Sequence, residues 1–186
     1  MTSVAYVQTP STFGDLSIVW RKTVEGPRVQ RILLPNKQPS AQDIFRVEFS
    51  DVGLPSVIVD FAEKMRRFLA GEAVEFEQRY LDLLALETCS EFQRRVLLAE
   101  YRIPRGWVSA YGRIAKHIGC PGGARAVGNA LAGNPFPIII PCHRTIRANG
   151  RLGKYGGGVE VKRQLLEIEG VQVDEAGYVL TDRFYY

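Results

Sequence analysis

Cys142 and His143 are adjacent in the sequence, and together they have the residue types that nucleophilic chemistry requires. An unperturbed thiol is only slightly ionised at neutral pH, so it needs a base or a positive field to become a nucleophile. Neighbouring side chains on a strand point to opposite faces, so a bend at Pro141 or a bridging water must bring the imidazole to the thiol. Glu169 is a candidate for fixing the histidine tautomer, and Asn134 is expected to bond the backbone near the cysteine. The alternative is a structural pair, with the thiol buried as a small apolar group and the histidine on the surface.

The segment around this pair is basic. Between Tyr101 and Val159 there is no Asp or Glu, whereas nine Lys and Arg residues occur there. The whole chain carries a formal net charge of only +4, so the positive charge is concentrated in this segment. Such an acid-free stretch predicts a face that binds a polyanion, with nucleic acid as the expected partner. The alternative is a basic surface that only aids solubility.

Length and composition exclude several classes of protein. A chain of 186 residues, 46% hydrophobic and 24% charged, suits one globular domain or two small ones sharing a core. No apolar run approaches the ~20 residues of a membrane span, and no secretory leader is expected. Three widely spaced cysteines without a C-x-x-C motif argue against a disulfide framework and a cysteine-rich zinc site. We expect a cytoplasmic protein, or a nuclear one in a eukaryote.

Residues 1–85 read as a small α/β subdomain. Alternating or apolar runs predict strands at Leu16–Trp20, Val29–Leu34 and Phe45–Phe49. A helix is expected to begin with Ser56 as its cap and to end before Gly71. Its core positions are expected to be Phe61, Met65, Phe68 and Leu69. No candidate active-site residue lies in this part of the chain.

A connector, residues 86–91, leads to a second set of helices. Ser90 and Gln93 form a capping-box pattern that predicts a helix ending at Pro104. A second helix is expected from about Ser109, with Gly119 just beyond its end. The glycine turn that follows leads into the small-residue helix ARAVGNALAG, so the pair predicts a helix-turn-helix.

The reactive dipeptide lies between this motif and a last helix. The proline-bounded run Phe136–Ile140 predicts an apolar strand that leads directly into Cys142. A glycine-rich loop, residues 150–158, follows. The last helix is expected from about Glu160 to Gly170.

Five motifs in a fixed order resemble one known family. YGRIAKHIG, ARAVGNAL, NPFPIIIPCHRTI, GKYGGG and LLEIEG lie within residues 92–170, and their order and separations are similar to those of the O6-alkylguanine-DNA alkyltransferases, also called methylated-DNA–protein-cysteine methyltransferases. The resemblance implies an α/β fold with a ribonuclease-H-like N-terminal subdomain, residues 1–85. It also implies a mainly helical subdomain with a helix-turn-helix at 92–170, and it leaves 171–186 as a C-terminal tail that folds back or hangs free.

The resemblance assigns the central roles to four residues. Cys142 would be the alkyl acceptor, and His143 would act as its base through a water molecule. Glu169 would hold the histidine, and Asn134 would brace the turn that carries the cysteine. Transfer would be an irreversible displacement that each molecule performs once.

Five further residues would bind DNA and flip the target base. By resemblance, Tyr111 would press on the backbone phosphate and offer its hydroxyl to the departing guanine. Arg125 would enter the duplex and fill the gap left by the base. The small residues Ala124, Ala126 and Gly128 would let the recognition helix lie close to the backbone in the minor groove, which is sterically sensible for such side chains.

The base pocket is expected to contain the remaining candidates. Tyr155, Gly156 and Gly157 would form its wall, and Lys162 would lie near the thiol. Thr145 stands where relatives usually carry an aliphatic residue, so it is expected to make the pocket more polar.

The resemblance also implies the partners of the protein. The substrate would be double-stranded DNA that contains O6-alkylguanine, with O4-alkylthymine left open, and the protein would act as a monomer without a cofactor, a metal or a membrane. Two other functions remain as alternatives. One is a non-enzymatic sensor that only binds alkylated DNA, and the other is a Cys-His hydrolase of a small substrate.

Overall fold

The structure, a computed structural model, describes residues 4–11, 13–35 and 53–186. The chain divides into two compact units, Met1–Ala85 and Leu86–Tyr186, and each is described by itself. None of the helices in the described ranges has the length and apolar character that a bilayer span requires.

The first unit contains a three-stranded antiparallel sheet. Its strands are β1 (Val4–Thr9), β2 (Leu16–Thr23) and β3 (Gly26–Leu33), paired in chain order. A register shift at Val19 and Trp20 adds an irregularity to the pairing of β2 with β3. The apolar residues of β2 are buried, which is the burial that the sequence pattern predicts.

The strand predictions for this unit are confirmed where the structure describes them. Leu16–Trp20 lies within β2, and Val29–Leu34 overlaps β3 to within a residue at its end. The predicted strand Phe45–Phe49 lies outside the described residues. Strand β1 was not predicted from the sequence.

The helix predicted after the sheet is present as α1 (Ser56–Leu69), but its cap is different. Pro55 is the N-cap, and the side chain of Ser56 makes no capping hydrogen bond. The carbonyl of Pro55 instead accepts hydrogen bonds from the backbone N–H groups of Ile58 and Val59, so Ser56 is already the first helical residue. The expected core positions are buried: Phe61, Met65, Phe68 and Leu69. A short helix, α2 (Gln78–Leu81), completes the unit.

The second unit begins with α3 (Glu91–Tyr101), at whose start only one of the two hydrogen bonds of the predicted capping box is present. Ser90 accepts a hydrogen bond of 3.2 Å from the backbone N–H of Gln93, which confirms Ser90 as the N-cap. The side chain of Gln93 does not return to Ser90. It donates to the carbonyls of Ala130 and Gly133 at 3.1 and 2.9 Å, and these carbonyls lie at a helix end where partners are lacking.

The helix-turn-helix consists of α4 (Tyr111–His117) and α5 (Ala124–Ala132). The first of these helices begins at Tyr111 rather than at Ser109. The reason is that β4 (Ser109–Ala110) pairs in parallel with β5 (Thr145–Ile146), so its residues are extended. Gly119 follows α4 with φ of +72°, the left-handed conformation that glycine adopts without strain.

The predicted apolar strand before the cysteine is wrong. Residues 136–140 form a tight turn in which the N–H of Ile140 donates to the carbonyl of Phe136 at 2.9 Å. Ile138 has φ of +77°, a left-handed conformation that no regular strand contains. The turn leads into one turn of 3-10 helix, Cys142–Arg144.

Helix α6 (Val159–Ile168) is followed by a hairpin with two short strands of two residues each, and then by the C-terminal segment. The hairpin pairs β6 (Gln172–Val173) with β7 (Val179–Leu180). A core cluster joins these elements through Val108, Ile146, Leu152, Leu166, Val171 and Val179. The last residues fold back, because the N–H of Tyr185 donates to the carbonyl of Val108 at 2.8 Å.

Replacing Ser90 with Ala should lower the free energy of unfolding by about 1 kcal/mol, because α3 would lose its side-chain cap. Urea unfolding followed by circular dichroism measures the change. Ser90→Asp keeps an acceptor at the cap and should stay close to the wild type. Equal losses in both variants would show that the cap does not stabilise α3.

Candidate active site

The thiol of Cys142 is held by Asn134 at the start of the 3-10 turn. The Asn134 amide nitrogen lies 3.1 Å from the cysteine sulfur and 3.0 Å from the carbonyl of Ile140, and it donates to both. The amide oxygen of the same side chain accepts from the backbone N–H of Phe136 at 2.9 Å. Asn134 therefore braces the turn on both sides of the cysteine.

Burial keeps this thiol protonated at rest. Cys142 is 9% exposed, and its burial raises the pKa of the thiol to about 11. The hydrogen bond from Asn134 and the positive charge of Lys162 act in the opposite direction and favour the thiolate. The thiol therefore needs a base before it can act as a nucleophile.

His143 and Glu169 form a buried pair beside the cysteine. The imidazole Nε2 lies 2.9 Å from a carboxylate oxygen of Glu169, and both side chains are fully buried. Arg144 donates to the two oxygens of the same carboxylate, at 2.8 and 2.7 Å. The turn that carries Cys142 is thus attached to the end of α6 through two consecutive side chains.

The protonation states of this pair follow from burial and from Arg144. Burial lowers the pKa of His143, so the imidazole is neutral. Burial also opposes ionisation of Glu169, but the contacts with His143 and Arg144 outweigh it and lower the pKa of the carboxyl to about 2. Because a carboxylate only accepts hydrogen bonds, the imidazole proton must sit on Nε2, and Nδ1 carries the lone pair.

A cavity of about 390 Å³ opens onto the cysteine. The cavity is lined by Tyr111, Gly128, Asn129, Leu131, Ala132, Cys142, Arg147, Gly153, Lys154, Tyr155 and Gly156. Gly153 has φ of +75°, and a Cβ atom there would lie 3.6 Å from the Tyr111 hydroxyl and 3.3 Å from the Arg147 side chain. A larger residue at Gly153 would therefore be strained and would narrow the cavity.

Two tyrosines in the cavity are neutral hydrogen-bond donors. Burial raises the pKa of Tyr111, and it raises the pKa of Tyr155 well above its ordinary value. A charge on Cys142 raises both pKa values further. Both hydroxyls are therefore protonated at neutral pH.

The other predicted DNA-binding residues lie on α5, and most of them do not line the cavity. Arg125 is exposed in the first turn of α5 and does not line the cavity. Ala126 is also exposed, and Ala124 is half-buried. Of the predicted residues on the recognition helix, only Gly128 lines the cavity. Of the predicted wall residues, Tyr155 and Gly156 line the cavity and Gly157 does not.

Thr145 and Lys162, which were predicted in the substrate pocket, are fully buried and do not line the cavity. Lys162 is near enough for its charge to lower the pKa of the Cys142 thiol, as expected. The Thr145 hydroxyl lies 2.7 Å from each carboxyl oxygen of Glu100, and this contact turns it away from the pocket. The Lys162 ammonium donates to the carbonyls of Thr145 and Leu152, both at 2.6 Å. Neither side chain therefore makes the pocket wall more polar.

Three residues in or beside this site were not predicted from the sequence. Glu100 follows Val96 by four residues, and this helical spacing is the signal that would have placed its carboxyl on the buried face of α3. Arg144 stood beside the predicted pair without an assigned role, and Arg147 lines the cavity. No sequence pattern distinguishes these two arginines from the other basic residues of the segment.

Comparisons with known proteins point to one family. The family model described as "6-O-methylguanine DNA methyltransferase, DNA binding domain" matches residues 91–171. A methylated-DNA–protein-cysteine methyltransferase of Methanothermobacter thermautotrophicus is 42% identical over 125 residues, which cover 67% of this chain and 68% of that protein.

Two crystal structures from Mycobacterium tuberculosis have a similar fold. The O6-methylguanine methyltransferase matches with a TM-score of 0.68 and 36% identity, over 91% of this chain and 93% of that one. The OGT in complex with DNA matches with a TM-score of 0.66 and 34% identity, over 89% and 92%. These matches confirm the α/β class with its two subdomains.

Replacing Glu169 with Gln should remove a stabilisation that depends on pH. The pKa of Glu169 is lowered to about 2 in the folded chain, so its contribution is complete above the unfolded value near 4.5. We expect the variant to be less stable by about 3 kcal/mol at neutral pH, and the difference should shrink as the pH falls from about 4.5 towards 2. Urea unfolding at a series of pH values measures it.

The exposed Glu167 of the same helix provides the control. Glu167→Gln should follow the wild-type curve throughout the series, because its carboxyl is exposed at the surface. A difference between wild type and Glu169→Gln that stays constant down to the lowest pH would contradict the assigned charge state.

Proposed function

Because this chain belongs to the methylated-DNA–protein-cysteine methyltransferases, we propose that it repairs DNA by moving a methyl group from O6 of guanine to the sulfur of Cys142. The observation that carries the proposal is a braced thiol that lines a cavity and has a His-Glu pair beside it. The OGT relative was crystallised with DNA, and we extend that partner to this chain.

The first step is removal of the thiol proton by His143. Glu169 holds Nε2, so Nδ1 is the nitrogen that accepts the proton, through a bridging water. Glu169 stabilises the imidazolium that results, as a buried carboxylate does in other catalytic triads. The thiolate gains the positive field of Lys162 and the hydrogen bond from Asn134.

The second step is an in-line displacement on the methyl carbon. A bond forms between the Cys142 sulfur and the carbon while the bond between that carbon and O6 breaks. The guanine leaves with the electron pair of that bond and accepts the proton that His143 had taken from the thiol. The Tyr111 hydroxyl, a neutral donor in the cavity, hydrogen-bonds the departing base.

The base must leave the helix before it can reach this cavity. O6 of a paired guanine is enclosed in the duplex, and flipping it out costs a few kcal/mol. Arg125 is exposed at the start of α5, and its planar cation stacks where the base had been. Small residues along α5 allow this helix to lie close to the backbone in the minor groove.

The product ends the activity of the molecule. A thioether does not revert to a thiol under physiological conditions, and no residue of the site offers a route to remove the methyl group. Each protein molecule therefore transfers once, and the reaction is stoichiometric.

Incubation with a duplex that contains O6-methylguanine should add the mass of one methylene to the peptide that carries Cys142, in stoichiometric amount. Cys142→Ala should abolish the gain and keep DNA binding, because the thiol is not part of the DNA-binding surface. Cys120→Ala is the matched control, since Cys120 is a free, half-buried thiol in the turn before α5. Peptide mass spectrometry measures the gain.

Each other outcome favours a different function. Binding to the damaged duplex without a mass gain would favour a lesion sensor. Neither binding nor a mass gain would favour a hydrolase of a small substrate. Loss of DNA binding in Cys142→Ala to the same degree as transfer would refute the division of roles.

Arg125→Ala should slow repair of the duplex by about tenfold or more, because about 1.4 kcal/mol of lost support for the flipped state has this effect. Reaction with free O6-methylguanine base should stay near the wild-type rate, since no duplex has to be opened. Arg125→Lys keeps the charge and loses the planar group, so it should resemble Arg125→Ala. Single-turnover rates on the two substrates measure this, and equal losses on both would remove the flipping role.

A further inference from the structure

Glu100 is a buried acid that the mechanism above does not use. It lies on α3, is fully buried, and its carboxyl contacts the hydroxyl of Thr145, which is three residues beyond the reactive cysteine. Buried carboxyl groups are rare unless a cation pairs with them. Within the described part of the chain, no hydrogen bond or ion pair joins Glu100 to a lysine or an arginine.

The geometry of this contact fits the neutral acid. The Thr145 hydroxyl oxygen lies 2.7 Å from Oε1 and 2.7 Å from Oε2 of Glu100. A hydroxyl has one proton, so it can donate to only one of these oxygens. If the carboxyl is protonated, its own O–H donates back to Thr145, and both short contacts become hydrogen bonds. Burial supports this state, because it raises the pKa of Glu100 to about 8.

The nearest cation does not neutralise the carboxyl. The Lys162 ammonium has its hydrogen bonds on two backbone carbonyls, those of Thr145 and Leu152. Burial also lowers the pKa of Lys162 to about 8, so its own charge weakens in the same pH range.

The charge state of Glu100 affects the pKa of the Cys142 thiol. Beyond the effect of burial, a negative charge on Glu100 raises the pKa of Cys142 and that of Tyr111. The titratable and charged groups that face Glu100 from the surrounding elements are Cys142, Arg144, Lys162, Tyr111 and Tyr186.

We propose that Glu100 is a positioning residue that permits thiolate formation at Cys142 only while it is the neutral acid hydrogen-bonded to Thr145. When the carboxyl ionises, two negative charges would share one buried region, so the thiol keeps its proton. The rate of methyl transfer then stops rising once Glu100 ionises, whereas the rate of a simple thiolate reaction goes on rising until the thiol itself has ionised. The proposal rests on the proposed function, but reactivity of the thiol towards iodoacetamide tests it without DNA.

The test compares the wild type with Glu100→Gln, which keeps the shape of the neutral acid and cannot ionise. Alkylation of Cys142 by iodoacetamide is followed by peptide mass over a pH series, and transfer from an O6-methylguanine duplex is measured in parallel. The wild-type rate should rise up to a pH of about 8 and then level off, because further gain in thiolate is offset by ionisation of Glu100.

In Glu100→Gln the rate should go on rising, so the ratio of the two rates should grow by up to tenfold per pH unit above about 8. The loss of charge on Lys162 occurs in both proteins, so it does not by itself produce this growth. Glu91→Gln, an exposed change on the same helix, is the control and should follow the wild-type profile. A Glu100→Gln profile that differs from the wild type only by a constant factor would overturn the proposal, because a purely structural role has that effect.

Thr145→Val provides a second test if Glu100→Gln does not fold, as judged by circular dichroism. Loss of the Thr145 hydroxyl removes both short contacts of the Glu100 carboxyl, so it should shift the pKa of Glu100 and move the levelling point. An unchanged levelling point would overturn the proposal. A pH response of iodoacetamide labelling without methyl transfer would overturn the proposed function and leave the role of Glu100 in place.

Discussion

The active site depends on the contacts of the ionised Glu169 carboxylate with Arg144 and His143. A charge in a protein interior is tolerated only when it is paired and hydrogen-bonded, and Arg144 meets both conditions with its two N–H groups. His143 uses the same carboxylate, so two consecutive side chains of the turn share one anchor at the end of α6. The position of Cys142 follows, since it begins that turn.

The thiol and the helix-turn-helix are joined through a very short sheet. The two residues of β4 pair with those of β5, which follows the 3-10 turn, and Tyr111 comes directly after β4. The start of α4 is therefore linked by backbone pairing to the segment that follows Cys142. This arrangement gives the recognition motif and the reactive sulfur a fixed geometry, and displacement at carbon requires such alignment.

Most of the helices and strands, and the Cys-His pair, could be predicted from the sequence. The predictions were wrong or incomplete where contacts between distant residues determine the local structure. The Ser90 cap and the last helix depend on local hydrogen bonds and periodicity, so they could be predicted. The run Phe136–Ile140 has the composition of a strand, but Pro137 within it and the hydrogen bonds of Asn134 favour a turn. The spacing of Glu100 from Val96 is a local signal for its burial, but nothing local identifies its partner, a threonine forty-five positions away.

The burial of Cys142 also protects the protein before it meets damage. An acceptor that works once is wasted by any peroxide or reactive aldehyde that modifies its sulfur first. Peroxide oxidises the thiolate to a sulfenic acid far faster than it attacks the thiol. With the pKa raised to about 11, hardly any thiolate is present in the resting molecule. The small fraction of thiolate that burial allows therefore limits the loss of unreacted protein to such reagents.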